Sequence, residues 1–144
     1  MPPSPFQTTR RIEFADTDMA GIVHFANFFR FMEAAEQEFL RARGLSVALD
    51  WEGQALGFPR VSASCDYLKP AYFEDVLDVT VRVARIGRKS VTYAFEFSRA
   101  GDLIARGQVS SVCCRVVADQ ELESLEIPPA VRQRLEQPAT AGAG

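Results

Sequence analysis

Apolar and polar residues alternate with a period of two over much of the second half of the chain. The alternation runs from Val76 to Ile86 and from Val91 to Ser98, with turn residues at Gly87-Arg-Lys89 between them. Two further segments have the pattern of strands bounded by turn residues, namely Arg60 to Leu68 and Leu103 to Val117. Such alternation places one row of side chains in a core and the other toward solvent. The pattern therefore predicts four strands joined mostly by short turns.

One segment in the first half of the chain has a helical period instead. Four apolar residues are spaced as i, i+4, i+7 and i+11, which places them on one face of a helix. They are Phe28, Met32, Ala35 and Phe39. We predict this helix from about Val23 or Asn27 to Arg43, with Gly44 just after its end. Further phenylalanines widen the apolar face, and a helix that is apolar around most of its circumference is surrounded by protein.

The order of these elements predicts an α+β protein. A strand from Phe6 to Phe14 precedes the long helix, and the four strands follow it. Leu45 to Gly57 has no clear period and is compatible with a short helical turn. Pro128 and Pro129 open a final short helix that extends to about Glu136. A run of strands with a single apolar helix must wrap its sheet around that helix.

Length and charge limit the classes of function. The chain has 144 residues, and we predict a single domain over 1–144 with an ordered core at about 6–136 and loose N- and C-terminal tails. Its formal net charge is −3, so we expect no basic face that would bind nucleic acid or anionic membranes. The N-terminus lacks the features of a signal peptide, and no apolar run is long enough for a membrane span. We expect a cytoplasmic protein that binds neither nucleic acid nor membrane.

Metal-ligating residues are scarce. The chain has one histidine, His24, and three cysteines, Cys65, Cys113 and Cys114, which form no Cys-x-x-Cys pair. Adjacent residues on a strand point to opposite faces, so no bridge is expected between Cys113 and Cys114. We therefore expect no metal site, and free thiols in a reducing compartment.

Two carboxylates, Asp16 and Asp18, precede the long helix in a segment of turn residues that ends at Gly21. The start of a helix offers unpaired amide N–H groups and the positive end of the helix dipole. These groups can hold a developing oxyanion while a nearby carboxylate attacks or activates water. Aspartates at such positions also commonly serve only as caps or turn formers. Composition and spacing leave both interpretations open.

The segment around these carboxylates resembles a known motif. Asp16-Thr-Asp-Met-Ala-Gly-Ile-Val-His-Phe-Ala-Asn-Phe-Phe-Arg-Phe-Met-Glu33 is similar to the opening motif of the hotdog-fold thioesterases, in particular the 4-hydroxybenzoyl-CoA thioesterase family. That family includes short-chain acyl-CoA thioesterases and dihydroxynaphthoyl-CoA hydrolases. Ser64 to Ala71 and Phe73 to Val76 resemble its second strand and the turn that follows. The resemblance implies a five-stranded antiparallel sheet around one long central helix.

The resemblance also implies roles for the residues of the motif. Asp18 is the catalytic carboxylate, as nucleophile or as general base, and Asp16 closes the loop. The backbone N–H of Phe25 polarises the thioester carbonyl, and Gly21 lets the backbone pass close to the acyl group. His24 has either a structural, cavity-lining role or an assisting one.

Other candidates lie outside the loop. Glu33 belongs to the polar stripe of the helix, where it either pairs with Arg30 or lines the acyl pocket. Arg88, Lys89 and Ser90 occupy a turn where the family contacts coenzyme A, although basic residues in turns are often simply solvated. Basic side chains bind the phosphates of coenzyme A well.

The resemblance therefore implies an acyl-CoA thioesterase that acts on a small acyl- or aroyl-CoA without metal or organic cofactor. Two alternatives remain open, namely a hydrolase dedicated to an aromatic substrate of the 1,4-dihydroxy-2-naphthoyl-CoA type and a non-catalytic acyl-CoA-binding protein. An exposed sheet edge invites pairing between chains. We expect a homodimer or homotetramer, and the resemblance implies that the active site lies between two subunits.

Overall fold

The main sheet has five strands and is antiparallel throughout. With strands numbered in chain order, the computed structural model, which describes residues 5–138, forms it from β1 (Phe6–Arg11), β4 (Arg60–Tyr67), β5 (Val76–Ile86), β6 (Ser90–Arg99) and β7 (Asp102–Val112). Their order across the sheet is β1-β5-β6-β7-β4, so β1 and β4 are its edges. The predicted α+β class with a five-stranded antiparallel sheet is confirmed. Most of the two predicted loose tails lies outside the described residues.

A second sheet joins short strands from separate parts of the chain. It contains β2 (Ala48–Trp51), β3 (Gln54–Gly57), β8 (Cys114–Arg115) and β9 (Glu123–Ser124), in that order. Residues 45–57 therefore contain a hairpin, and the expectation of a helical turn there is wrong. The hairpin turn has positive φ at Glu52 and Gly53, the geometry of a type I′ turn that matches the twist of paired strands.

The first strand is shorter than its alternation predicts. Residues 6–14 are the predicted span, but β1 ends at Arg11. Glu13 then begins a single 3-10 turn over Phe14–Asp16, and its N–H donates to the Asp16 carboxylate at 2.8 Å. This turn takes the chain off the sheet and starts the loop that leads to the long helix.

The last long strand is interrupted. Residues 103–117 are the predicted span, but β7 ends at Val112 and β8 pairs in the second sheet. Between them, the Cys113 N–H donates to the Lys89 carbonyl at 2.7 Å. This bond lies outside the strand ladders and marks the point where the chain passes from one sheet to the other.

The long helix, α1 (Asn27–Arg41), starts at the later of the two predicted positions and packs against the main sheet. The four residues predicted to share its inner face are all buried. They are Phe28, Met32, Ala35 and Phe39. Met32 comes so close to β7 that a Cβ atom at Gly107 would lie 2.5 Å from the Met32 Sδ atom. Glycine at this position therefore permits the close approach of helix and sheet.

A short second helix, α2 (Pro129–Glu136), covers one end of the sheet. Pro129 occupies its first turn, where the missing N–H of proline has no cost, as the sequence predicts. Arg132 of α2 donates to the Gly87 carbonyl at 2.6 Å and so holds the turn between β5 and β6. Neither helix within residues 5–138 has the length and apolar character that crossing a membrane requires.

One ion pair lies at the border of the interface between helix and sheet, with its Glu36 side chain buried and its Arg60 side chain 31% exposed. Glu36 of α1 is 1% exposed, and Arg60 at the start of β4 donates to both of its carboxylate oxygens, at 2.8 Å from Nη1 to Oε2. Arg60 also donates to the buried hydroxyl of Ser111 at 3.0 Å. Burial raises the pKa of Glu36, and the bonds from Arg60 only partly offset that rise. The pair ties the middle of α1 to the edge of the sheet.

The edge strand β4 is open to solvent in the single chain. Most of its residues are exposed, and the apolar side chain of Val61 is 62% exposed. Within residues 5–138, β7 is its only neighbour in the sheet. An exposed strand edge that carries apolar side chains is a template for pairing with another chain.

Candidate active site

A tight turn presents Asp18 close to the start of α1. The Gly21 N–H donates to the Asp18 carbonyl at 2.9 Å, and Gly21 has a φ of 81°, which side-chain-bearing residues rarely adopt. One oxygen of the Asp18 carboxylate accepts the Ala20 N–H at 2.9 Å. No hydrogen bond within residues 5–138 uses the other oxygen. The turn thus fixes the carboxylate and leaves one of its oxygens free.

Asp16 has different surroundings, because its contacts close the loop. Its carboxylate accepts the Glu13 N–H at 2.8 Å and lies 3.6 Å from the Arg10 guanidinium. Its carbonyl accepts the His24 N–H at 2.9 Å and the side-chain amide of Asn27 at 2.8 Å. Asp16 therefore ties the beginning of the loop to its end.

The Phe25 amide N–H, two residues ahead of α1, has no partner within residues 5–138, although the N–H groups beside it do. The Asn27 N–H donates to the His24 carbonyl at 2.9 Å, and the Ala26 N–H donates to Nδ1 of His24 at 3.1 Å. Among the hydrogen bonds of the described residues, none uses the Phe25 N–H. Among the N–H groups of residues 24–27, only that of Phe25 is therefore unused, and Phe25 is the residue to which the resemblance assigns the donor.

An open cavity of about 470 Å³ lies between the Asp18 turn and the end of β4. Its wall is mostly apolar and combines the loop, the first turn of α1 and the segment after β4. Asp18 supplies the one carboxylate of the wall and Lys69 its one cation. Phe25, Phe28 and Tyr67 supply its aromatic rings. The wall of one mostly apolar cavity thus includes both Asp18 and Phe25.

His24 caps the chain ahead of α1 and is not part of this wall. Because its Nδ1 accepts the Ala26 N–H, a neutral His24 ring carries its proton on Nε2. The ring is exposed and stacks on Phe25 with centroids 4.7 Å apart. His24 therefore contacts the cavity wall from outside, through Phe25.

Glu33 lies on a different part of α1, where its side chain is exposed. Within residues 5–138 it forms no ion pair with Arg30. It instead borders a separate cavity of about 140 Å³ between α1 and β4, together with Phe29, Met32 and Ala63. Within a single chain, Glu33 and Asp18 therefore line different cavities.

The predicted coenzyme A contacts lie on the turn between β5 and β6. Arg88 donates from Nε to Glu126 at 3.1 Å, and the Lys89 ammonium donates to the Ser124 hydroxyl at 3.3 Å. Both cations are exposed, whereas Ser90 is half-buried. A phosphate that binds here would have to compete with Glu126 for Arg88.

The Asp18 turn and the Arg88 turn lie at opposite ends of the main sheet. Near the Asp18 loop, the Ile12 N–H donates to the Asp75 carbonyl at 2.8 Å, just ahead of β5. Arg88 follows the far end of β5, which has 11 residues. A strand of that length spans roughly 35 Å. A single chain therefore keeps the two groups apart.

Two residues of the cavity wall, Tyr67 and Lys69, carry no signal in the sequence that marks them as functional. The Tyr67 hydroxyl donates to the Phe25 carbonyl at 2.9 Å. The fold brings their segment beside the loop, where the Val23 N–H donates to the Ala71 carbonyl at 2.8 Å. Contacts between such distant parts of a chain follow from topology, which local pattern does not specify.

All three cysteines are free thiols, half-buried at Cys65 and buried at Cys113 and Cys114. Burial raises the pKa of the Cys65 and Cys113 thiols, so both stay protonated and unreactive at neutral pH. Over the part of the chain that the structure describes, no group of three or more His, Cys, Asp or Glu side chains is arranged to hold a metal ion.

Comparison with known proteins places the chain in a family. A family model described as the thioesterase-like superfamily matches residues 12–135. A 1,4-dihydroxy-2-naphthoyl-CoA hydrolase of Thermosynechococcus vestitus is 34% identical over 119 residues, which cover 81% of this chain and 81% of that protein.

Solved structures of thioesterases share the fold. A 1,4-dihydroxy-2-naphthoyl-CoA thioesterase from Synechocystis superposes with a TM-score of 0.80 and 28% identity, over 92% of this chain and 96% of that one. A gentisyl-coenzyme A thioesterase gives a TM-score of 0.78 and 28% identity, over 90% of this chain and 99% of the other. The predicted resemblance to hotdog-fold thioesterases is confirmed, and this chain belongs to the thioesterase-like superfamily.

Proposed function

We propose that this protein hydrolyses the thioester bond of an acyl-CoA, with Asp18 as the catalytic carboxylate and the Phe25 N–H as the donor to the thioester carbonyl. One observation supports this most directly. The free carboxylate oxygen of Asp18 and the unpaired N–H of Phe25 belong to residues that line one apolar cavity. Acyl transfer develops negative charge on the carbonyl oxygen, and a donor that is fixed in advance in an apolar space stabilises it.

The carboxylate of Asp18 can act by two routes. As a general base it removes a proton from water, the hydroxide adds to the carbonyl carbon, and the C–S bond breaks as the thiolate leaves and takes up that proton. As a nucleophile it adds to the carbonyl itself and expels the thiolate to give a mixed anhydride, which water then hydrolyses. Both routes yield a carboxylic acid and free coenzyme A, and both place the oxyanion at the Phe25 N–H.

The other loop residues support this geometry. Gly21 permits the turn that holds Asp18, because a side chain at its positive φ would be strained. His24 caps the residues before α1 and leaves the Phe25 N–H as the unused donor. Asp16 fixes the loop from the opposite side.

The preferred substrate class is an aroyl-CoA. The rings of Phe25, Phe28 and Tyr67 line the cavity, and they form edge-to-face pairs with centroids 5.6 to 6.4 Å apart, so a flat acyl group meets aromatic walls. Three related proteins are named as 1,4-dihydroxy-2-naphthoyl-CoA hydrolase, 1,4-dihydroxy-2-naphthoyl-CoA thioesterase and gentisyl-coenzyme A thioesterase, and each name specifies an aromatic acyl group. These two observations favour the aromatic alternative over short aliphatic acyl groups.

A complete site needs two chains in this proposal. The Asp18 cavity lies at the C-terminal end of β4. Arg88 and Lys89 lie toward the N-terminal end of β4, because they precede β6, and the start of β6 pairs with the end of β7 that also pairs with the start of β4. Antiparallel pairing of two β4 edges across a two-fold axis would bring one chain's Asp18 end beside the other chain's Arg88 end. It would also bring the cavity at Glu33 of one chain toward the Asp18 cavity of the other. Arg88, Lys89 and Ser90 would then contact the coenzyme A bound at the other chain's Asp18.

A hydrolysis assay across a panel of thioesters tests the proposal. Purified protein is given acetyl-, hexanoyl-, benzoyl- and 1,4-dihydroxy-2-naphthoyl-CoA, and released thiol is measured. We expect turnover of the aromatic esters with a larger kcat/KM than that of the aliphatic ones. Saturable binding of these esters without thiol release would instead support the acyl-CoA-binding alternative and overturn the proposal.

A further inference from the structure

We infer that Tyr67 is a positioning residue for the Phe25 N–H, an inference that rests on the proposed role of that group. The Tyr67 hydroxyl donates to the Phe25 carbonyl at 2.9 Å, although the two residues are 42 positions apart in the chain. Both residues line the Asp18 cavity. The mechanism described so far assigns no task to this bond.

The two peptide groups that flank Phe25 are held by different contacts. The group that carries the unused N–H is held by the bond from the Asn27 N–H to the His24 carbonyl, at 2.9 Å. The group that follows Phe25 accepts the Tyr67 hydroxyl at 2.9 Å and the Phe28 N–H at 3.4 Å, beyond the usual length of such bonds. Its own N–H, that of Ala26, donates to Nδ1 of His24 at 3.1 Å within the loop. Of the two donors to the Phe25 carbonyl, the Tyr67 hydroxyl is therefore the stronger, and it is the one that links the loop to the sheet.

Tyr67 is a rigid anchor for this bond. It is the last residue of β4, and the next residue, Leu68, continues the attachment to the sheet by donating its N–H to the Ile104 carbonyl at 2.8 Å. Its ring packs edge-to-face on Phe28 and Phe25, with centroids 5.6 and 6.4 Å apart. Partial burial raises the pKa of Tyr67, so the hydroxyl keeps its proton at neutral pH and remains a donor. The sheet thereby fixes the position of the residue that carries the catalytic donor.

The Tyr67→Phe variant isolates the hydroxyl, because it keeps the ring contacts. We expect kcat to fall about three- to tenfold, the scale of one neutral hydrogen bond, with KM and the thermal unfolding midpoint little changed. Tyr72→Phe is the matched control, since Tyr72 is 47% exposed and its hydroxyl makes no hydrogen bond within residues 5–138. A Tyr67→Phe enzyme with the kcat of the Tyr72→Phe control would overturn the inference.

A spectroscopic measurement separates positioning from a merely structural role. The carbonyl stretching frequency of the aroyl-CoA that the panel identifies as the best substrate is recorded on Asp18→Asn protein, with and without Tyr67→Phe. We expect the carbonyl to be less polarised, and its frequency higher, when the Tyr67 hydroxyl is missing. Equal frequencies would overturn the role of Tyr67 alone, whereas wild-type turnover by Asp18→Asn would overturn the proposed function.

Discussion

At the scale of single residues, Asp16 and Asp18 have the same functional group but differ in the hydrogen-bond and ion-pair partners of their carboxylates. The Asp16 carboxylate has a backbone donor and the Arg10 guanidinium as partners, and its carbonyl binds two groups at the start of α1. The Asp18 carboxylate has one backbone donor and one free oxygen. The same functional group is therefore suited to structure at one position and to chemistry two residues later.

Replacement of Asp16 should affect stability more than turnover. Asp16→Asn keeps one acceptor for the Glu13 N–H but loses the charge that faces Arg10, so we expect a loss of about 1 kcal/mol in the free energy of unfolding. Urea denaturation measures this, and kcat should stay within about threefold of wild type. Asp102→Asn is the control, because its pair with Lys69 is mostly exposed and should contribute little. A stable Asp16→Asn protein without activity would reverse the two assignments.

The exposed turn of Arg88 and Lys89 should contribute to binding alone. We expect Arg88→Ala and Lys89→Ala to raise KM for CoA esters about tenfold with kcat little changed, because they hold a remote part of the substrate equally in ground and transition states. Arg41→Ala, an exposed cation at the end of α1, is the control. A pantetheine ester lacks the nucleotide phosphates and should be hydrolysed equally by all variants. A KM increase of equal size with that ester would exclude the phosphate contact.

At the scale of elements, the long segments were predictable from the sequence and the short ones were not. The inner face of α1 and the strands β5 and β6 have enough residues for their periods to show. β2 and β3 have 4 residues each, too few for alternation to be distinguished from other patterns. Their turn, at Glu52 and Gly53, also lacks the Asn-Gly or Asp-Gly sequence that usually marks a type I′ hairpin.

The candidate site was predictable only where its residues are close in the chain. Asp18, Gly21 and Phe25 lie within one motif that spacing and resemblance identify together. Tyr67 joins them through sheet topology, and no local period indicates its bond to Phe25. The sequence also did not predict that Glu33 and Arg88 lie apart from Asp18, because that separation depends on the lengths and directions of β4 and β5.

The ion pair between α1 and β4 gives a prediction about how these elements are joined. Arg60→Leu leaves the carboxylate of Glu36, whose side chain is 2% exposed, without its cation inside the interface, and we expect a loss of about 3 kcal/mol in the free energy of unfolding. The double variant Glu36→Leu/Arg60→Leu should recover most of that loss, because no uncompensated charge remains. Thermal and urea denaturation measure both variants.

An exposed pair between β4 and its neighbour β7 provides the control for this cycle. Arg106 and Asp66 lie 3.4 Å apart and are both more than half exposed, so Asp66→Ala should cost less than about 1 kcal/mol. If Arg60→Leu is no more destabilising than Asp66→Ala, the pair of Glu36 and Arg60 does not join α1 to β4. A double variant as unstable as the single one would lead to the same conclusion.

At the scale of the whole molecule, we predict that activity requires assembly, because one chain keeps Asp18 and the Arg88 turn apart. We expect light scattering to give a mass of at least twice the 16.0 kDa of one chain. Val61→Lys places a charge on the exposed β4 edge and should yield monomers with little activity, because the site would lack its second half. Gln7→Lys, on the opposite edge strand β1, is the control and should leave assembly and turnover unchanged. A fully active 16.0 kDa species would contradict the shared site.

The proposed function depends most on the carboxylate of Asp18, and a single variant tests that role directly. Asp18→Asn keeps the shape of the side chain and the bond from the Ala20 N–H but can neither attack the thioester nor accept a proton from water. Thiol release from the best aroyl-CoA should fall at least about 100-fold, with an unchanged unfolding midpoint and retained ester binding. Thiol release by Asp18→Asn at a rate near that of the wild type would contradict the catalytic role of Asp18.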